Sequence, residues 1–305
     1  MNSQHVTPSL PAVDHEPHLA TSEIIFSRIL VAIDFSQPAT QALKMAILIG
    51  QTFGSRLSIV HAVTPVGYGI DTGAVPIEVL NVNLDADKKR VNQLVSSEPG
   101  LCELKPSITI AYAETIDLIR QVSRAEKTDL IVVGSHGASG LERLTLGSVA
   151  EAVLHEAKCP VLIVGPQCQP EQYPFRSILF ATDLRTTGLR AAQYATGLAE
   201  RFHSKLTLLH VKQHSTSPIQ EAESVRGLER LIPPDAASYC KAAGARVEYG
   251  KVAEVIAAVA ESECASLIVI GLRTHVLGDH APWSTVAQVT RGAKAAVLGV
   301  RGRFA

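Results

Sequence analysis

The chain alternates short apolar runs with longer segments in which apolar residues recur at helical spacing. Short β-branched runs between helical segments predict a parallel sheet whose strands are joined by right-handed crossover helices, which is an α/β fold. In the first half, strands are predicted near residues 29–33, 57–63, 107–113, 129–134 and 160–165, and helices near 37–53, 84–97, 116–127 and 148–158. In the second half, strands are predicted near residues 177–182, 205–211, 245–250, 266–271 and 295–300. Residues 64–83 contain Gly and Pro without a clear period and predict a long surface loop.

The two halves are copies of one another. Asp34 aligns with Asp183 at an offset of 149, and both follow the first predicted strand of their half. Gly134 aligns with Gly271 at an offset of 137, so the second copy has lost about a dozen residues between its second and third strands. A strand–helix–strand unit that recurs in this way indicates an internal duplication.

Length and composition agree with two tandem domains. The 305 residues are 46% hydrophobic, which is enough for two ordinary cores. The predicted domains span residues 23–168 and 175–305, and a proline-rich linker around residues 165–174 separates them, because proline does not continue a strand. Residues 1–22 contain three Pro and no apolar core, which predicts a disordered tail rather than a signal peptide.

Charge and cysteine content exclude several classes of function. A formal net charge of −1 gives no basic excess for nucleic acid, and no apolar run of about 18 residues predicts a membrane span. The five cysteines are odd in number, scattered and without a CxxC pair, which favours reduced thiols in the cytoplasm over a disulfide framework. None of the eleven histidines has the HExxH or paired Cys/His spacing of a metal site, so no metal bound by the protein alone is predicted.

Residues 134–148, GSHGASGLERLTLGS, form the candidate site. The stretch follows a predicted strand and precedes a predicted helix, an arrangement that presents backbone N–H groups to an anion. Gly134 and Gly137 let the chain turn off the strand without a Cβ clash, and Gly147 lets a ligand approach the start of the helix. An SxxE capping box begins at Ser148. The stretch predicts a site for a phosphate chain, and a glycine-rich turn that only joins strand to helix is the alternative.

The candidate site has the spacing Gx2Gx9GS, which is formed by Gly134, Gly137, Gly147 and Ser148. This spacing resembles the nucleotide-binding signature of the universal stress protein family, and the flanking VGSHGASGLERLTLGSVAEAVL is similar to that family over its whole length. The resemblance implies two tandem doubly wound, Rossmann-like domains, each with a five-stranded parallel sheet of order 3-2-1-4-5. In such sheets a ligand lies beyond the carboxyl ends of strands 1 and 4, where the winding reverses. The implied ligand is ATP, with Mg or Mn held mainly by its phosphates.

The resemblance also implies which residues contact the nucleotide. Contacts to the adenine and ribose are implied for Ala32, Ile33, Asp34, Ala62 and Val133. Contacts to the phosphates are predicted for Gly134, Gly137, Gly147, Ser148 and Val149, and His136 and Arg143 are further candidates because they lie inside the loop. Two alternatives stay open: Asp34 is a helix cap or turn former, and the side chains of His136 and Arg143 are solvated.

The second copy departs from the signature. Aligned on Gly271, it has Thr274, Ser284 and Thr285 where the first copy has glycine, glycine and serine. The strand and helix are predicted to survive, since a TxxQ capping box begins at Thr285. The added side chains are expected to crowd the phosphate space, so the sequence predicts one nucleotide per chain.

Each copy ends in an apolar strand, residues 159–165 and 295–301, that is expected at a sheet edge. Single-domain members of the family resemble dimers built by pairing their last strands, so the resemblance implies an intramolecular pseudo-dimer of the two copies. Such pairing removes an exposed sheet edge, and duplication within one chain raises the effective concentration of the partner. A further homodimer of the whole chain stays open.

The expected function is that of an ATP-binding regulatory or stress-response module. No catalytic residue is nominated, because the chain has no GxxxxGK[ST] P-loop, no GxGxxG after the first strand and no GxSxG elbow. Two other classes stay open. One is a slow ATPase or autophosphorylating enzyme, and the other is a structural or chaperone-like protein that works without nucleotide.

Overall fold

Strands and helices alternate along both halves of the chain. The computed structural model describes residues 24–63, 77–137, 146–169, 175–185, 188–233, 244–272 and 282–302. The first half contains β1 Arg28–Ala32, α1 Gln37–Phe53, β2 Arg56–Val63, α2 Ile77–Ser97, α3 Pro99–Leu104, β3 Ser107–Tyr112, α4 Thr115–Ala125, β4 Leu130–Gly134, α5 Ser148–Glu156 and β5 Val161–Val164. The second half contains β6 Ser177–Ala181, α6 Gly188–Phe202, β7 Lys205–Lys212, α7 Pro218–Glu229, β8 Ala245–Tyr249, α8 Val252–Ser262, β9 Leu267–Leu272, α9 Pro282–Gly292 and β10 Ala296–Arg301.

The ten strands of the described residues form one mixed sheet in the order β3-β2-β1-β4-β5-β10-β9-β6-β7-β8. Within each half the strands are parallel and follow the order 3-2-1-4-5, which confirms the predicted fold class. The halves meet through β5 and β10, which pair antiparallel with Leu162 opposite Leu298. This joint confirms the predicted intramolecular pseudo-dimer. Because the joint is antiparallel, the carboxyl ends of the strands in the two halves point to opposite edges of the sheet.

Helices cover both faces of the sheet because the inner strands are buried on both sides. In β1, Leu30 and Val31 are both buried but belong to apolar layers on opposite faces. One layer lies under α1 and α6, and the other lies under α4, α5, α8 and α9. Each layer runs through both halves. Phe53 of α1 meets Phe202 of α6 edge-on, with ring centroids 5.8 Å apart, so the halves share one core.

Two helical segments are missing from the sequence prediction. Helix α2 begins at Ile77, so the last part of the predicted 64–83 loop is helical, whereas residues 64–76 lie outside the described residues. Helix α3 follows after one residue, and Pro99 stands at its first position, where a missing N–H removes no helical hydrogen bond. Leu101 of α3 is fully buried in the core. Tertiary packing therefore stabilises a short helix that periodicity alone does not indicate.

Both predicted capping boxes are wrong. The N-cap of α5 is Gly147, which makes no side-chain hydrogen bond, and Ser148 is the first helical residue. Helix α9 begins at Pro282, so Thr285 lies inside the helix instead of capping it. Proline presets the φ of a first helical residue and here places the helix start upstream of Thr285. A capping box does form at Ser217 with Gln220, where α7 begins.

Three further predictions concern the ends and the linker. The predicted tail, residues 1–22, lies outside the described residues. The linker is described up to residue 169, and its Cys168 is buried in the shared core, where burial raises the pKa of the thiol to about 11. Among the helices that the structure describes, none is long and apolar enough to cross a membrane.

Candidate functional site

A crevice lies where β1 and β4 end side by side. The two strands are parallel neighbours, with Val31 opposite Val132, so the residues that follow them emerge at the same edge of the sheet. A Cβ atom built on Gly137 would lie 2.5 Å from Oδ2 of Asp34. Two features that are about a hundred residues apart in the sequence therefore meet, as the predicted topology requires. A side chain at position 137 would require the Asp34 carboxylate to move.

Asp34 shapes the turn between β1 and α1. Its Oδ1 accepts a hydrogen bond from the backbone N–H of Ser36 at 3.0 Å, and Phe35 between them has a left-handed φ of 62°. Ser36, not Asp34, is the N-cap of α1, and its Oγ accepts from the N–H of Ala39 at 3.3 Å. Asp34 thus has the turn-forming role that the sequence left open, and its second carboxylate oxygen faces Gly137.

Gly134 is required by helix packing. A Cβ atom at this position would lie 2.8 Å from both the carbonyl carbon of Pro38 and the backbone nitrogen of Ala39. Both contacts are with backbone, so they are not relieved by a change of rotamer. The first turn of α1 therefore rests directly on the end of β4, and this contact fixes the wall of the crevice.

Ser135 and Gly147 form a neck that closes the signature loop. The N–H of Gly147 donates to the carbonyl of Ser135 at 2.8 Å, and the N–H of Ser135 donates to the carbonyl of Val164 at 2.9 Å. A Cβ atom on Gly147 would lie 3.0 Å from Cα of His136. Gly147 therefore permits two backbone segments to approach, and the approach of a ligand at this glycine stays a prediction. Residues 138–145, which include Arg143, lie outside the described residues.

The N-terminus of α5 opens beside this neck. Because Gly147 is the N-cap and supplies no side-chain acceptor, the N–H groups of Ser148, Val149 and Ala150 have no partner within the helix. Ser148 is exposed to solvent. These N–H groups and the positive end of the helix dipole are suited to an anion.

His136 lies next to the neck and is half-buried. Its Nδ1 is 2.9 Å from Oγ of Ser135, and its carbonyl is 3.5 Å from Oγ of Ser36. The segment after β4 is therefore tied to the N-cap of α1. A role of the imidazole as a phosphate ligand stays a prediction.

Three of the four apolar residues predicted to contact the adenine and ribose share one face of the sheet. The side chains of Ala32, Ala62 and Val133 belong to the apolar layer that lies under α4 and α5. Ile33 is different, because its side chain is buried in the opposite layer. Its backbone is also occupied, since the N–H donates to the carbonyl of Val60 at 3.0 Å and its carbonyl lies 2.8 Å from a histidine nitrogen. Ile33 is placed as a core residue.

Comparison with known proteins agrees with this geometry. The family model described as "Universal stress protein family" matches residues 26–165 and again residues 174–301. The chain belongs to the universal stress protein family. Universal stress protein A homolog 1 of Coxiella burnetii is 36% identical over 150 residues, which cover 46% of this chain and 96% of that protein. A universal stress protein of Thermus aquaticus is 34% identical over 143 residues, covering 46% of this chain and 99% of that protein.

A solved structure shows the same fold along nearly the whole chain. The universal stress protein of Archaeoglobus fulgidus superposes with a TM-score of 0.68 at 18% identity, covering 90% of this chain and 98% of that one. The two relatives compared by sequence align with about half of this chain, whereas the family model matches it twice. The chain is therefore a tandem pair of universal stress domains.

Sequence reasoning missed His61, a buried polar residue beside the crevice of the first universal stress domain. Its Nδ1 is the nitrogen 2.8 Å from the carbonyl of Ile33. Its Nε2 lies 3.3 Å from Oδ2 of Asp87 in α2, without the alignment of a hydrogen bond. The second domain repeats the first contact, with Nδ1 of His210 2.9 Å from the carbonyl of Thr182. The histidine that both copies share was the available signal.

The second universal stress domain keeps the turn after its first strand but changes the segment where its last helix begins. Oδ1 of Asp183 accepts from the N–H of Arg185 at 3.1 Å, as Asp34 does from Ser36. Helix α9 begins at Pro282, which lies upstream both of Thr285, the match to Ser148 by sequence, and of Ser284, its match in the register of the last strands, so its first N–H groups lie elsewhere along the chain. Thr274 lies outside the described residues, and the side chain of Ser284 is not described. Among the described residues of both domains, no group of three His, Cys, Asp or Glu side chains is placed to hold a metal ion.

Proposed function

We propose that the first universal stress domain binds one ATP per chain and that the protein acts as a regulatory module through its bound or empty state. The observation that supports this is the open N-terminus of α5, which begins beside the neck of Ser135 and Gly147. Free N–H groups and a positive helix end favour a phosphate chain.

The surroundings of the crevice support an adenine nucleotide. Ala32, Ala62 and Val133 belong to one apolar layer, in which Ala62 is half-buried and the other two are buried, so a flat base at this edge would meet apolar groups. The Asp34 carboxylate is an acceptor for ribose hydroxyls. In this proposal Mg²⁺ or Mn²⁺ is held mainly by the phosphates, which is the usual way in which proteins bind Mg²⁺ with a nucleotide.

The proposal favours binding over turnover. An attacking water needs a base beside the terminal phosphate, and no motif of the chain supplies one. The four cysteines of the described residues are free, which supports a reducing compartment such as the cytoplasm. A turnover assay on the purified protein separates this proposal from a slow ATPase or an autophosphorylating enzyme.

Calorimetric titration of the full chain with ATP and MgCl2 tests the proposal, with AMP titrated in parallel. We expect a stoichiometry of one and an ATP affinity that falls at least about tenfold, or about 1.4 kcal/mol, in Asp34→Ala. The duplicate offers a matched control, because Asp183→Ala removes the same turn contact from the second domain. We expect Asp183→Ala to bind ATP as the original chain does.

Three results would contradict the proposal. They are a stoichiometry of two, an absence of saturable ATP binding, and a folded Asp34→Ala protein whose ATP affinity is unchanged. Circular dichroism melts of both variants show whether a loss of binding reflects the site or the fold.

A further inference from the structure

A groove of about 430 Å³ lies between the C-terminal ends of α4 and α5. It opens at the amino ends of β4 and β5, at the edge of the first domain opposite the nucleotide crevice, so a ligand in this groove would not overlap a nucleotide in that crevice. Its floor is apolar, with Ile116, Ile119 and Ile131 among the lining residues. A volume of this size is typical of sites for small molecules.

An ion pair spans the groove. Nε of Arg120 in α4 lies 3.0 Å from Oε2 of Glu156 in α5, and Arg120 also pairs with Asp117. The hydrogen bond to Glu156 is the largest cause of the raised pKa of the Arg120 guanidinium. The side chains of Arg120 and Glu156 thus bridge the two helices.

The second domain shows what the same helices do without these side chains. Arg120 aligns with Ala257 at the offset of 137. Glu156 aligns with Gly292 at an offset of 136, which is the offset of the last strands, because Val161 pairs with Ile131 as Val297 pairs with Ile268. A Cβ atom on Gly292 would lie 3.4 Å from Cβ of Ala257, which is ordinary van der Waals contact. Helices α8 and α9 therefore touch at the point where Arg120 and Glu156 bridge α4 and α5. The second domain has a cavity at the corresponding end of its helices, with Glu261 and Lys294 in its lining, so the two sites differ in the charge of their rims.

The rim of the groove is basic, and comparison with the second domain shows why. In the second domain, Lys294 and Glu261 form an ion pair of 3.2 Å. The aligned residues of the first domain are Lys158 and Arg124, which both line the groove together with Lys127. An attractive pair has become a like-charged one. None of these three cations has an acidic partner within the part of the chain that the structure describes.

These cations are not needed to satisfy the ends of the two helices. At the end of α5, Nη2 of Arg301 donates to the carbonyls of Leu154 and His155 at 2.6 and 2.8 Å. At the end of α4, the carbonyls of Val122 and Ser123 accept backbone N–H groups at 2.9 and 3.0 Å. The positive charge at the rim is therefore available to a ligand.

We propose that this groove binds a small amphipathic anion, an aliphatic or aromatic carboxylate whose apolar body rests on the isoleucine floor and whose carboxylate lies between Arg124 and Lys158. Arginine and lysine form charge-assisted hydrogen bonds with carboxylates. Cys159 also lines the groove, and burial raises the pKa of its thiol to about 11, so it adds no negative charge at neutral pH.

Calorimetric titration of the full chain with decanoate tests this site. We expect saturable binding that weakens at least about tenfold in Arg124→Glu, because the new carboxylate pairs with Lys158 as Glu261 does with Lys294. The duplicate tolerates glutamate at this position, so the variant is expected to fold. Lys44→Glu is the matched control, since it makes the same charge change on an exposed position of α1, over the opposite face.

Further titrations define the ligand class and keep the two sites apart. We expect decanol and inorganic phosphate each to bind at least about tenfold more weakly than decanoate, and ATP affinity to be unchanged in Arg124→Glu. The proposal is overturned if decanoate does not bind saturably, if Arg124→Glu and Lys44→Glu bind it alike, or if phosphate binds as tightly as decanoate. A loss of ATP binding in Arg124→Glu would also overturn the assignment of a separate site.

Discussion

At the scale of single residues, each of the three glycines of the signature meets a different structural requirement. Gly137 leaves space for the Asp34 carboxylate, Gly134 lies beneath the first turn of α1, and Gly147 lets the chain pass His136. The spacing predicts that all three matter, but it assigns them to one ligand. Each is explained by a close approach within the protein, and the ligand space is what this packing leaves open.

The neck at Gly147 gives the first residue-scale prediction. In Gly147→Val, the branched side chain would begin 3.0 Å from Cα of His136 and would strain the 2.8 Å hydrogen bond to Ser135. We expect the neck to spread and the ATP affinity to fall at least about tenfold, because the N-terminus of α5 shifts away from the crevice. Calorimetry measures the affinity, and a melting curve confirms that the sheet is folded.

A smaller side chain at position 147 gives a graded test of the same reasoning. Gly147→Ala adds only the Cβ atom, so its loss of affinity is expected to lie between that of the original chain and that of Gly147→Val. Equal affinity for ATP in all three proteins would show that the neck does not position the nucleotide.

At the scale of secondary structure, the duplication places the same left-handed turn at the end of two helices. Helix α1 ends at Gly54 with a φ of 65°, and α6 ends before His203 with a φ of 50°. Glycine adopts this conformation without steric cost, whereas a residue with a Cβ atom does not. The second copy thus keeps the left-handed conformation at the end of this helix, although histidine has replaced the glycine there.

Exchanging these two residues is expected to move stability in opposite directions. Gly54→His should lower the free energy of unfolding by about 1 kcal/mol, although nothing lies within 4 Å of a Cβ atom there, because the cost is conformational. His203→Gly should raise it by a smaller amount, since glycine also gains freedom in the unfolded chain. Urea denaturation measures both, and a gain of stability in Gly54→His would refute the explanation.

The accuracy with which the bounds of an element can be predicted from the sequence depends on whether local or long-range contacts define its ends. The strands were predicted to within one or two residues, because β-branched runs such as residues 129–134 are buried on both faces. Helix starts were less predictable. The start of α5 depends on the bond between Gly147 and Ser135, which joins residues across a loop, and α3 depends on burial of Leu101. No local pattern contains these contacts.

The same limit applies to the candidate site. Topology alone brought Asp34 and the glycine loop together, and the structure places them in contact through Gly137. The resemblance grouped Ile33 with Ala32 at the nucleotide. Residues alternate between the two faces of an extended chain, so the side chain of Ile33 lies on the face opposite that of Ala32. His61 was missed because a buried histidine belongs to no motif, and its match with His210 in the second copy was the one signal for it.

At the scale of the whole molecule, the two halves form one continuous sheet through the joint of β5 and β10. This joint covers the edge that each half would otherwise expose, which removes a site for aggregation. Arg301 adds a polar tie across it, since its side chain donates to α5 of the first half while its own carbonyl accepts from Arg190 at 3.0 Å. The second domain therefore covers the edge strand of the first, whatever ligand it holds.

Gly299 tests this account of the joint. It lies in β10 opposite Val161, and a Cβ atom there would lie 3.0 Å from Cδ2 of Leu154 and 3.0 Å from Cδ1 of Leu272. Gly299→Val should overpack the joint and lower the free energy of unfolding by roughly 1–3 kcal/mol, with faster hydrogen exchange at residues 161–164. Gly244→Val is the control, because nothing lies within 4 Å of a Cβ atom at that position. If both variants unfold at the same urea concentration and exchange equally slowly at residues 161–164, the joint does not couple the two halves.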